Sequence, residues 1–235
     1  MSELNRIALK IVSSGKGILA ADESTGTMTK RLESVGVVST SENRLKFRET
    51  LFSSDGMKKF IGGVILYDET IKQKTSSGTT IPNLINNSGA LTGIKVDTGA
   101  KTLSGSPNEK ITEGLDGLRE RLQQYYELGA RFTKWRAVYS ISSSTPSKIS
   151  ILSNAHALAR YASLVQEAKM VPIVEPELLM DGNHDIKKCY EVTSEILKNC
   201  YEQLNLFNID LSGTILKPNM ILPGKDHEKK AKVEE

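Results

Sequence analysis

Six short runs of apolar and β-branched residues, separated by stretches of helical periodicity, restrict this chain to a small set of folds. They are GILAAD (17–22), GGVILYDE (62–69), TGIKVDTG (92–99), RFTKWRAVYSI (131–141), VPIVEPE (171–177) and GTILK (213–217). Helical spacing runs over residues 2–14 through Leu4, Ile7, Ala8 and Ile11, and a further helix is expected from Ser41 to Phe52. Residues 112–129 repeat Leu115, Leu118, Leu122 and Tyr126 and read as a helix stopped by Gly129. Two more helices are expected from about Ser153 to Lys169 and over 185–204. Nearly all-apolar strands alternating with helices indicate a parallel sheet buried on both faces.

With 235 residues, 38% hydrophobic and 25% charged, the chain is long enough for a normal globular core. No apolar run approaches the ~18–20 residues that span a bilayer, so no membrane association is expected. The N-terminus MSELNRIALK has no apolar h-region, and the cytoplasm is the expected compartment. Cys189 and Cys200 fall in one helical segment, about 16 Å apart along the axis, and are expected to be free. His156, His184 and His227 have no ligand spacing, so neither metal nor cofactor is expected. No G-x-G-x-x-G or G-x-x-x-x-G-K-[ST] occurs, and GKG at 15–17 precedes a strand rather than a helix. A formal charge of +3 is too small to imply nucleic acid.

The strands carry charges where an ordinary buried sheet would not. Lys95 and Asp97, Lys134 and Arg136, and Glu175 and Glu177 are pairs two residues apart near strand C-terminal ends. Side chains two apart share a face. Asp22 and Lys217 occupy similar ends, with Pro218 stopping the last strand because it offers no N–H to a ladder. One buried unpaired charge costs several kcal/mol or more, so five strands behaving alike imply a shared polar interior at one end of the sheet. A β/α barrel supplies that interior, with catalytic groups on the strand C-terminal ends. Lys95, Lys134, Arg136 and Lys217 outnumber Asp22, Glu175 and Glu177 by one, which suits a phosphorylated substrate. Crowded amines also lower a lysine pKa. An ordinary lysine is neutral in only about one molecule per few thousand at pH 7. A strand-end lysine among cations is thus suited to Schiff-base chemistry with a carbonyl compound.

These motifs, together with GKGILAADESTGT and GTILKPNMILPG, resemble in order the strands of class I fructose-bisphosphate aldolase. The resemblance implies the (β/α)8 TIM-barrel fold, of which about six of eight β/α units are present. It implies metal-free cleavage of fructose 1,6-bisphosphate to dihydroxyacetone phosphate and glyceraldehyde 3-phosphate. By motif, Lys217 is expected to be the Schiff-base lysine and Glu175 the main proton-transfer residue, with Glu177 beside it. Lys134 and Arg136 are expected in the site, and Asp22 to orient Lys217 and the hydroxyl at the cleaved bond. Ser24, Thr27 and Lys95 are expected to bind one phosphate, Thr27 standing where the family often has Ser. The family also implies a homo-oligomer (a tetramer) and cytoskeletal partners.

Residues 1–223 are expected to form the incomplete barrel and 224–235 a charged tail beginning a helix. Strands seven and eight, the other phosphate's loop and the closing tail are expected outside this sequence, so the chain alone is expected to be a poor catalyst. A binding or scaffold role is the alternative.

Overall fold

The computed structural model describes residues 1–13 and 15–234. Six strands form one all-parallel sheet: β1 (Gly17–Ala21), β2 (Ile61–Leu66), β3 (Leu91–Lys95), β6 (Ala130–Tyr139), β7 (Val171–Leu178) and β8 (Ile215–Leu216), in the order β1-β2-β3-β6-β7-β8. The strand sequence, each neighbour following the last with helices between, is that of a partial β/α barrel. Among the described residues, strands β1 and β8 are paired on one side only.

Helices α1 (Glu3–Ile11), α2 (Thr25–Glu33), α3 (Ser41–Phe52), α4 (Gly56–Phe60), α5 (Asp68–Ile71), α6 (Ile81–Asn87), α7 (Leu118–Glu127), α8 (Lys148–Glu167) and α9 (Ile186–Leu206) connect the strands. Their starts follow from local chemistry. Ser2, Ser24, Thr40, Thr80, Ser147 and Asp185 each accept a hydrogen bond from the backbone N–H three residues on, satisfying one orphan helix donor. Helix α7 is followed by Gly129 at φ 106°, a left-handed position that glycine adopts without a Cβ penalty.

Several expectations differ from the structure: β3 ends at Lys95 rather than running to Gly99, and α8 begins at Lys148 rather than near Ser153. Residues 112 and 113, expected to begin the helix over 112–129, instead close β5 (Ser106–Glu113), paired antiparallel with β4 (Gly99–Leu103), and α7 starts only after Gly117. The polar hairpin buries few apolar side chains, so the leucine spacing that begins at Leu115 reads falsely backwards. The residues from 225 to 234 form turns and bends rather than a helix. Their start is pinned by Lys225 N–H to Met180 C=O (2.7 Å) and Asp226 N–H to Gly182 C=O (3.1 Å).

The sheet's outer face packs on the helices through Val64, Leu66, Ile94, Trp135, Ala137 and Val174. Trp135 is fully buried there, 5.4 Å from the ring of Tyr161. On the concave face a smaller cluster joins Ile65, Phe132, Val171 and Ile173 to Ala8 and Ile11 of α1. That packing dictates glycine in β2 and β3. A Cβ at Gly62 would meet the Ile11 carbonyl oxygen at 2.0 Å, and one at Gly93 would meet the Phe132 ring at 2.3 Å. The GG of GGVIL and the G of TGIK are thus imprints of α1 and Phe132.

Candidate active site

Alternation along the strands carries the concave face from apolar to charged within one step. In β6, Phe132 is followed by Lys134 and Arg136; in β7, Ile173 is followed by Glu175 and Glu177; in β8, Ile215 is followed by Lys217. Lys217 lies just past its strand, yet its N–H still donates to Val174 C=O at 2.9 Å, which keeps it in register with β7. Asp22 follows β1 in the same way.

The expected site residues converge. Glu175 is almost completely buried, and its Oε1 accepts from the Nζ of Lys217. Its Oε2 lies 3.4 Å from Lys134 Nζ and, among the described residues, has no aligned hydrogen-bond donor. Lys134 donates to Asp22 Oδ2 at 2.8 Å. One contact chain therefore runs Asp22–Lys134–Glu175–Lys217. Arg136 pairs with Glu177 at the more open rim. Ser24, Thr27, Lys95, Asp22, Lys134 and Arg136 all line a single cleft of about 570 Å³. Ser24 Oγ lies 3.1 Å from Thr27 Oγ1 at the start of α2.

Charge is arranged differently from the simple excess of cations read in the sequence. Burial works against the Lys134 ammonium, but the carboxylates of Asp22 and Glu175 outweigh it and raise its pKa. Lys134 is thus a fixed cation at neutral pH. Lys217, with 48% of its side chain exposed against 3% for Glu175, is the accessible amine, and its direct partner is a carboxylate. The count of cluster charges also omits Asp97. That buried carboxylate accepts from Lys95 Nζ and from Gly99 N–H (3.1 Å), with Arg136 N–H at 3.4 Å.

Three further cleft residues, Glu23, Arg31 and Tyr67, are not among those singled out in the sequence, although Tyr67 directly follows β2. Arg31 follows Thr27 by one helical turn of α2 and bridges to Glu23. Glu23 is held from below by buried Arg48, which donates to its backbone carbonyl and to Thr70 Oγ1, both at 2.7 Å.

A family model described as fructose-bisphosphate aldolase class-I matches residues 3–235. The chain is 51% identical over 235 residues to a probable fructose-bisphosphate aldolase class 1 of Xylella fastidiosa, covering all of this chain and 70% of that protein. It is 53% identical over 223 residues to mouse fructose-bisphosphate aldolase C, covering 94% and 61% respectively. Among solved structures it is similar to the fructose-bisphosphate aldolase of Plasmodium falciparum, crystallised with TRAP and a small-molecule inhibitor. The TM-score is 0.96 at 45% identity, over 98% of this chain and 67% of that one. Six parallel strands in barrel order, a lysine–carboxylate chain at their C-terminal ends and these relatives together place the chain in the class I fructose-bisphosphate aldolase family.

Proposed function

We propose that Lys217 carries the Schiff base in cleavage of fructose 1,6-bisphosphate, with the contact chain Asp22–Lys134–Glu175–Lys217 as the observation that carries this reading. Glu175, in direct contact with Lys217, takes the ammonium proton and frees the amine. The amine adds to the C2 ketone, and loss of water gives a protonated iminium. A base then removes the C4 hydroxyl proton as the C3–C4 bond breaks. The bonding electrons pass into the iminium to form an enamine, and glyceraldehyde 3-phosphate departs. Protonation of the enamine at C3 and hydrolysis of the regenerated iminium release dihydroxyacetone phosphate and the free lysine.

Each neighbour has a role in this sequence. The Oε2 of Glu175, which faces Lys134 without an aligned hydrogen-bond donor among the described residues, is the acceptor and later donor of the moving proton, with Glu177 at the rim beside it. Lys134 holds positive charge near the reacting hydroxyls, and Asp22 fixes Lys134 and, through it, Glu175. Arg136 steadies Glu177. Ser24, Thr27 and Lys95 supply hydroxyl and ammonium donors to one phosphate in the shared cleft, where such charge-assisted hydrogen bonds are strongest. A homo-oligomer in the cytoplasm is part of this reading, and sedimentation of the purified chain tests the oligomer. The relatives are named as enzymes, and none of them favours the scaffold alternative.

Borohydride reduction in the presence of dihydroxyacetone phosphate should leave a covalent adduct on Lys217, located by peptide mass. Lys217→Met should abolish it. An adduct on Lys134 or Lys95 instead would overturn the assignment.

A further inference from the structure

We infer that Asn219 is a positioning residue that holds Lys217 against Glu175, an inference that rests on the Schiff-base role proposed for Lys217. The need for it follows from the backbone. Strand β8 is two residues long and sits at a sheet edge, and its last ladder bond is the one from Lys217 N–H to Val174 C=O. Pro218 then removes the next backbone donor. Among the described residues, no backbone hydrogen bond holds the segment beyond Lys217 to β7 over the stretch that carries Glu177.

The side chain of Asn219 takes over. Its Oδ1 accepts from Leu178 N–H at 3.1 Å, at the end of β7 next to Glu177. Its Nδ2 donates to Thr193 Oγ1 of α9 at 3.1 Å and to Met220 C=O at 3.0 Å. Both ends of the amide are used, so its orientation is fixed: only the oxygen can face the Leu178 N–H. One side chain thereby ties the loop after Lys217 to the catalytic strand and to the helix behind it. Without it, a half-exposed lysine on a two-residue edge strand would be placed by one backbone hydrogen bond and its own ion pair.

The test follows borohydride trapping of the 235-residue chain with dihydroxyacetone phosphate as the probe, recording the maximal trapping rate, the half-saturating probe concentration and the final yield. Asn219→Leu keeps the branched shape at a somewhat larger volume and removes all four hydrogen bonds of the side chain, the long one from Nδ2 to Cys189 Sγ (4.0 Å) included. The maximal rate at Lys217 should fall about 10- to 100-fold, the effect of an ångström-scale misplacement. Half-saturation should change far less than the rate, because the substitution alters none of the residues that line the cleft. Asn219→Asp keeps the acceptor for Leu178 and can accept from the Thr193 hydroxyl, so it should restore most of the rate.

A merely structural role would lower the yield or the melting temperature and leave the rate alone, and that result overturns the inference. So does Asn219→Leu trapping as fast as the unaltered chain. If Asn219→Leu fails to fold, Thr193→Val decides: a slower rate supports the inference and an unchanged one overturns it. Absence of any Lys217 adduct in the unaltered chain would overturn the assignment of Lys217, and this inference with it.

Discussion

The lower and upper halves of the concave face are built on the same strands, one step of the pleat apart, and obey opposite rules. Below, Phe132, Ile65 and Ile173 pack against α1 so closely that the neighbouring strands accept only glycine at Gly62 and Gly93. Above, the inward positions of β3, β6, β7 and β8 carry Lys95, Lys134, Glu175 and Lys217, and their contacts are ionic. The lower layer gains stability from shape and tolerates little change in volume. The upper layer gains little net stability from its charges, because desolvation offsets attraction, but it loses heavily when one partner goes missing. The packed floor fixes where the strands point; the charged layer uses that placement.

The comparison is most exposed to Phe132→Ala. Removing the ring from a fully buried floor should cost about 3–5 kcal/mol, read as a lower urea midpoint. A loss below about 1 kcal/mol would mean that the floor is not the tight layer its glycines indicate.

Next in size is Lys134→Met, which strands Asp22 and leaves Glu175 with Lys217 alone. A loss of about 3 kcal/mol at pH 7 is expected, at the low end for a broken buried pair because Lys217 still reaches Glu175. The pH dependence sharpens this. The folded pKa of Lys134 is raised, so its contribution is fully present below the unfolded value near ~10.4 and is lost as pH rises through the higher folded value. Denaturation curves between pH 9 and 12 should show this alkaline loss in the unaltered chain and a smaller one in Lys134→Met. Equal slopes would contradict the pairing.

The smallest effect belongs to Arg136→Ala. Its pair with Glu177 is partly exposed on both sides, so stability should change by only ~0–1 kcal/mol while cleavage of fructose 1,6-bisphosphate slows. A large drop in melting temperature would move Arg136 from the rim into the structural part of the layer.

Legibility in the sequence divides along a similar line. The sheet was readable because apolar runs, strand-end charges and alternation all point the same way, and α3 was readable to its end residues. Lys217 at the end of its strand followed from Pro218, and the structure puts it just past the last strand residue. Helix α2 was not readable: TGTMTKRLE contains glycine and three threonines, and only Met28 and Leu32 are buried. With α2 unseen, Arg31 had no reason to join Thr27 in the cleft, although it lies one turn further on. Asp97 was visible as the partner of Lys95 on one face, but a charge count without geometry left it out. The β4–β5 hairpin failed for a third reason. It turns at Gly105, at φ 81°, between strands whose buried positions include Glu109 and Thr112, so hydrophobic periodicity had nothing to detect.

The bond between Asp22 and Lys134 also measures shape. Asp22 lies just past β1 and Lys134 on β6, three strand spacings apart in the sheet. On a flat sheet those strands would be about 14 Å apart at roughly 4.8 Å per spacing, beyond the joint reach of the two side chains. Their 2.8 Å contact is a chord drawn across an arch, and it exists only while the arch keeps its curvature. Flattening would snap the chord first and strip Lys134 of the carboxylate that stabilises its charge. The pair therefore ties catalytic competence to the bend of the sheet: a chain that pairs its strands without curling them would have the secondary structure and lack the site.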